Sequence, residues 1–127
     1  MKKVISLMLA ILFLGSGLAF TGPKEKIAVA ANGQTPEASV SAQAGRAPFF
    51  LFFDETGKLT EAITNPAKDS QNSGIAVADF LAGKAVTVVV AEGYGPQIVQ
   101  VMKGKGIRTV SFKGSVGEAV KKVLKSD

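Results

Sequence analysis

Apolar residues in this chain fall into short runs, and the punctuation between the runs changes along its length. Ile27-Ala28-Val29-Ala30-Ala31 is a first strand, ended by the turn chemistry of Asn32-Gly33-Gln34-Thr35-Pro36. Residues 37–45 are small and polar without a period, a loop with a short extended piece at Val40. Phe49-Phe50-Leu51-Phe52-Phe53, bounded by Pro48 and Asp54, predicts a second, buried strand. Its phenylalanines supply a large part of the core, roughly 150–250 Å² each. Residues 54–58 form a hairpin loop with Gly57 suited to positive φ. Residues 59–64 return as a more polar third strand near an edge, stopped by Asn65-Pro66.

Residues 67–74 read as a polar loop in which Ser73 caps a helix running through Phe80 and Leu81 to Gly83. Asp79 is the one charge in that helix, so most of its surface is expected under cover. Ala85-Val86-Thr87-Val88-Val89-Val90-Ala91 carries no charge and predicts a strand buried on both faces, as inside a parallel sheet. After Gly93-Tyr94-Gly95, Pro96 suits a first helical position, and Ile98, Val101 and Met102 follow at helical spacing. That helix closes over residues 103–106, and Thr109-Val110-Ser111-Phe112 is a fifth, shorter strand. Ser115 and Glu118 make a capping box. The last helix they open has Val116, Ala119, Val120, Val123 and Leu124 on one face, with Lys121, Lys122 and Lys125 on a solvated one. The order β-β-β-α-β-α-β-α predicts an α/β fold with one five-stranded mixed sheet. The early hairpin is antiparallel, the later strands are parallel through right-handed crossovers, and helices cover both faces.

In such sheets ligands sit beyond the carboxyl ends of the strands, and free N–H groups at a helix start favour an anion. The turn at residues 93–96 is therefore either an anion site or a tight crossover turn without a ligand. Glu92, at the end of a buried strand, has no second carboxylate to work with and reads as structural.

Composition changes the picture at three points. The 127 residues leave room for a single domain, but its start is not part of the core. Lys2 and Lys3 precede an apolar run over residues 4–14, and Gly15, Ser16, Gly17 and Ala19 follow. This is the pattern of a secretory signal peptide. The run is shorter than the roughly 20 residues a membrane span needs, although an uncleaved anchor is the alternative. Residues 1–22 are assigned to the signal and residues 23–127 to one domain, which makes the protein periplasmic or secreted. Without Lys2 and Lys3, 13 basic residues stand against 10 acidic, a charge near +3. That is too weak a bias for a nucleic-acid binder, and no membrane partner is expected after cleavage. Cysteine and histidine are absent. Disulfides, thiolate and imidazole metal ligands, and Cys–His or Ser–His catalysis are thereby excluded.

Lys26-Ile27-Ala28-Val29-Ala30, Val40-Ser41, Gly45-Arg46-Ala47-Pro48-Phe49-Phe50, Ile63-Thr64-Asn65-Pro66, Gly93-Tyr94-Gly95-Pro96 and Gly106-Ile107 together span most of residues 26–124. In this order they resemble the dinitrogenase iron–molybdenum cofactor biosynthesis family. That family includes carrier domains of nitrogenase assembly and an orange protein that holds a molybdenum–copper sulfide cluster without covalent attachment. The resemblance implies a three-layer α/β/α, ribonuclease H-like fold and a non-enzymatic carrier of an anionic molybdenum, iron or copper sulfide cluster. A partner protein would deliver or receive that cluster. Many members carry His-Phe before the Gly-Arg, where this chain has Gln43-Ala44.

What remains is a site without metal–protein bonds, in which backbone N–H groups, Arg46 and small polar side chains surround a preformed cluster. Charge-assisted hydrogen bonds to an anion are about twice as strong as neutral ones. Under this reading Arg46 clamps the anion, or else pairs with Asp54 or Glu92. Gly45, Gly93, Tyr94 and Gly95 offer backbone groups, and Asn32, Ser41, Gln43 and Ser73 are the side-chain donors. No catalytic residue and no metal ligand is assigned. Two other functions stay open. One is a cofactor-free interaction or oxyanion-binding module. The other is a ribonuclease H-like hydrolase, which needs carboxylates such as Asp54, Asp79 and Glu92 to converge on a divalent metal.

Overall fold

Strand β1 (Ile27–Ala31) is buried along its whole length and sits at the centre of the sheet. The computed structural model describes residues 25–125, so the expected signal segment, residues 1–22, lies outside the described residues, as do the outermost ends of the expected domain. After β1 come a 3₁₀ turn (Ala44–Arg46), β2 (Phe49–Phe53), β3 (Leu59–Thr64), α1 (Ser73–Gly83) and β4 (Val88–Ala91). Helix α2 (Pro96–Gly104), β5 (Arg108–Ser111) and α3 (Val116–Lys125) complete the chain. The sheet order is β3-β2-β1-β4-β5. β1 pairs antiparallel with β2, Val29 opposite Leu51, and parallel with β4, Ala28 beside Val89.

The period of two in the strands divides the core into two halves. Ala28, Ala30, Phe50, Phe52, Val89 and Ala91 face α1 and α2 and meet Val77, Leu81, Ile98 and Met102. Ile27, Val29, Leu51, Phe53, Val88 and Val90 face α3 and meet Val116, Ala119, Val120 and Val123. The result is the expected three-layer α/β/α arrangement on a five-stranded mixed sheet. Phe50 and Phe52 are fully buried, each stabilising the fold by about 1.5–3 kcal/mol, and both rings meet Phe80 of α1 at centroid distances of 6.2 and 6.1 Å. At the sheet edge, Lys84 donates to Glu61 of β3 at 3.0 Å and joins the end of α1 to it. This bond holds the Glu61 carboxyl below the usual glutamate range.

Local expectations hold at the turns. Gly57 has φ 88° in the β2–β3 hairpin, and Val40 forms an isolated bridge to Ala31. Three boundaries move. The stretch expected as a strand over residues 85–91 starts only at Val88, because Ala85 (φ 61°) turns the chain out of α1 and Val86 bonds back to the Leu81 carbonyl. The fifth strand is Arg108–Ser111, one residue earlier than its pattern suggests. The N-cap of α1 is Asn72 rather than Ser73, which takes the first helical position. None of the described helices is long and apolar enough to cross a membrane.

Candidate functional site

Two of the three helices begin at the same cleft. Asn72 is the N-cap of α1 and Gly95 that of α2, neither side chain caps its helix, and neither first turn holds an acidic residue. The N–H groups of Ser73, Gly74 and Ile75 have no partner among the described residues. In α2, Pro96 has no N–H and Ile98 bonds back to the Gly95 carbonyl at 3.2 Å, which leaves Gln97. Such orphan donors carry the positive end of the helix dipole. The remaining wall is the 3₁₀ turn with Gln43 before it. The cleft has a volume of about 280 Å³ and no carboxylate in its lining.

Each wall is shaped by a small residue. A Cβ on Gly45 would come within 2.8 Å of Ser73 Oγ, so the bare glycine lets the turn lie against the helix end. Ser73 is 9% exposed, and its hydroxyl has no hydrogen-bond partner among the described residues. Gly95 has φ −67° and ψ 156°, open to any residue, and a Cβ there would meet nothing within 4 Å. Neither backbone nor packing requires that glycine; its bareness keeps the cleft open. Arg46 donates from Nη1 to the Lys68 carbonyl at 2.7 Å. Among the described residues it pairs with neither Asp54 nor Glu92. Asp54 instead accepts from the Thr56 hydroxyl at 2.6 Å and from the N–H groups of Thr56 and Lys58, which hold its carboxyl below the usual range.

Of the residues expected in a site, Gln43, Gly45, Arg46, Ser73 and Gly95 share this cleft. Asn32, Ser41, Gly93 and Tyr94 do not. Asn32 donates to Ser39 Oγ at 2.8 Å. Ser41 donates its N–H to the Ala30 carbonyl at 2.7 Å and accepts from Glu92 N–H at 2.9 Å, with its hydroxyl on the Gln43 carbonyl at 3.3 Å. Gly93 is bridged to Gln43, and its carbonyl accepts from Ala44 N–H at 3.2 Å. Tyr94 is turned inward onto the backbone of β4 and β5. For Ser41 and Gly93 the reason is that residues 41–44 lie across the carboxyl ends of β1 and β4, where open sheets usually offer a crevice.

The structure adds Gln71, Asn72, Gly74, Ile75, Pro96, Gln97 and Ile98 to the lining. Pro96 had its helix-start signal and the polar pair Gln71-Asn72 precedes Ser73; that α1 and α2 start side by side is not a local property.

This donor set suits an anion held by N–H groups, a hydroxyl and a guanidinium. The lining of the cleft contains no thiolate, imidazole or carboxylate. Among the described residues no group of three or more Asp, Glu, His or Cys is placed to hold a metal ion. Asp79, one of the three carboxylates a hydrolase would need, is paired with Lys105 at 2.8 Å. The three do not converge.

Comparison with known proteins agrees with the fold. The chain is similar to the apo form of the orange protein from Desulfovibrio gigas, at 28% identity and a TM-score of 0.76 over 84% of this chain and 92% of that one. It is similar to a Thermotoga protein described as a candidate NifB, at 26% identity and a TM-score of 0.68 over 80% and 88% of the two chains. A candidate dinitrogenase from Methanocaldococcus jannaschii shares the fold at 10% identity, with a TM-score of 0.61 over 83% and 92%. No curated protein sequence matches. The model of the dinitrogenase iron-molybdenum cofactor family matches residues 25–126, and the chain belongs to that family.

Proposed function

We propose that this protein is an exported, non-enzymatic carrier of an anionic metal–sulfur cluster containing molybdenum, iron or copper. The cluster is its cargo. The N–H groups in the first turns of α1 and α2, the Ser73 hydroxyl and Arg46 hold it, with no bond between metal and protein. The observation that carries this reading is the meeting of two uncapped helix starts in one cleft that has a guanidinium on its wall and no carboxylate. Family membership supports a cofactor-related role, and the likeness to the orange protein supports the carrier form of it. A second protein would supply or receive the cluster.

The test is an absorption spectrum with metal analysis on protein purified from its own host, followed by titration of the metal-free protein with tetrathiomolybdate. Visible bands with bound metal, and uptake that weakens with salt, are the expected results. Arg46→Ala should weaken uptake about tenfold, as loss of a charge-assisted bond does, and make the salt dependence shallower. Colourless protein that takes up neither tetrathiomolybdate nor an iron–sulfur cluster overturns the reading and leaves an oxyanion-binding or interaction module.

A further inference from the structure

Asn65 is 2% exposed, and both polar atoms of its side chain are engaged on the wall that carries Arg46. Its Nδ2 donates to the Ala47 carbonyl at 2.9 Å and to the Gly45 carbonyl at 3.3 Å. Its Oδ1 accepts the N–H of Ala67 at 2.9 Å, and its own N–H donates to the Pro48 carbonyl at 3.0 Å. The two carbonyls it grips belong to the residues on either side of Arg46, so one amide fixes the backbone that presents that residue. The contact to Ala67 orients the chain entering Lys68, whose carbonyl receives Arg46 Nη1 at 2.7 Å. The root and the head of Arg46 are thus both referred to one buried side chain. A buried amide with its bonds made holds its neighbours firmly, because breaking any of them leaves a polar atom without water.

We infer that Asn65 is the positioning residue of this cleft: it aims Arg46, and it acts on a bound anion only through Arg46. The consequence for binding rests on the carrier reading; the effect on Arg46 does not. Aspartate at this position keeps the acceptor for Ala67 N–H, loses both donors and sets an oxygen against two carbonyls at almost unchanged size.

The experiment compares the native protein with Asn65→Asp, Arg46→Ala and the double variant. In the ligand-free state, nitrogen-resolved NMR of the Arg46 guanidinium should show a restrained group in the native protein. In N65D it should show one averaged like free arginine, with the fold retained by circular dichroism. In tetrathiomolybdate titrations N65D should lose about tenfold in affinity, as R46A does, and the double variant should be no weaker than R46A. Unchanged Arg46 signals in folded N65D, or losses that multiply in the double variant, overturn the inference. Should the native protein not take up tetrathiomolybdate, the carrier reading fails and the Arg46 signals alone decide the role of Asn65. Should N65D not fold, Asn65→Ser replaces it: serine can serve Ala67 N–H but cannot span both carbonyls, and the same outcomes decide.

Discussion

The Tyr94 hydroxyl donates to the backbone carbonyl of Val110 at 2.6 Å and lies 2.9 Å from that of Val89. A residue in the turn between β4 and α2 is thereby tied to both parallel strands beneath it, which fixes where α2 starts. Burial pushes the phenol well above its ordinary value of 10.0.

The chain has one tyrosine and no tryptophan, so its tyrosinate absorbance reports this site alone. The neutral form is favoured by the fold, so the associated stability is complete below pH 10 and is lost as the pH rises above it. In native protein the absorbance should stay absent on first passing pH 10 and appear together with unfolding. Ordinary titration near 10 in folded protein would show the hydroxyl to be free. Tyr94→Phe should cost about 1 kcal/mol in denaturant unfolding.

Gly45 and Gly95 line the same cleft for different reasons, and alanine separates them. Gly95→Ala should leave the denaturation midpoint nearly unchanged, because its dihedral angles and surroundings accept a methyl group, while tetrathiomolybdate uptake falls because that methyl occupies the cleft. Gly45→Ala should lose both, with an overpacking cost of about 1–2 kcal/mol, because its Cβ meets Ser73 Oγ at 2.8 Å. Equal affinities for G95A and native protein would place the guest elsewhere.

Much of this architecture was legible because its signals are local. The phenylalanine run, the hairpin at Gly57, Pro96 at the start of α2 and the Ser115–Glu118 box each declare themselves within a few residues. Ala85 did not: an uncharged apolar stretch gives no sign that its first three residues turn, and no glycine stands where the positive φ falls. Within the site, Arg46, Gly45 and Ser73 stood out as chemistry. Gln71 and Gln97 did not, because their place depends on α1 and α2 beginning side by side. Asn32 and Ser41 misled for the opposite reason: they are polar residues beyond a strand end, but Asn32 bonds to Ser39, and Ser41 to Ala30, Glu92 and Gln43.

Ala85 holds φ 61° at an exposed position after α1. For an L-residue with a Cβ that conformation costs about 1 kcal/mol, and glycine adopts it freely. Ala85→Gly should therefore raise stability by about 0.5–1 kcal/mol, read as a higher denaturation midpoint with an unchanged slope. A fall would mean that the methyl group contributes packing that outweighs the strain.

Ser115 and Glu118 satisfy one another at the start of α3. Ser115 N–H donates to Glu118 Oε1 at 3.2 Å, and Glu118 N–H donates to Ser115 Oγ at 3.2 Å. Ser115→Ala should cost about 1 kcal/mol, or about 4–8 °C in a domain of this size. Because α3 lies on the face away from the cleft, uptake should not change. Altered uptake in folded S115A would link the two faces of the sheet.

Residues 41–44 bind to the ends of β1 and β4 through Ser41 and Gly93, and so the interior of the sheet is closed at that end. Under the carrier reading the cluster sits in the cleft between the 3₁₀ turn and the starts of α1 and α2, not over the strand ends. On that reading, a protein that receives the cluster would dock over the starts of α1 and α2 and offer N–H contacts in place of theirs.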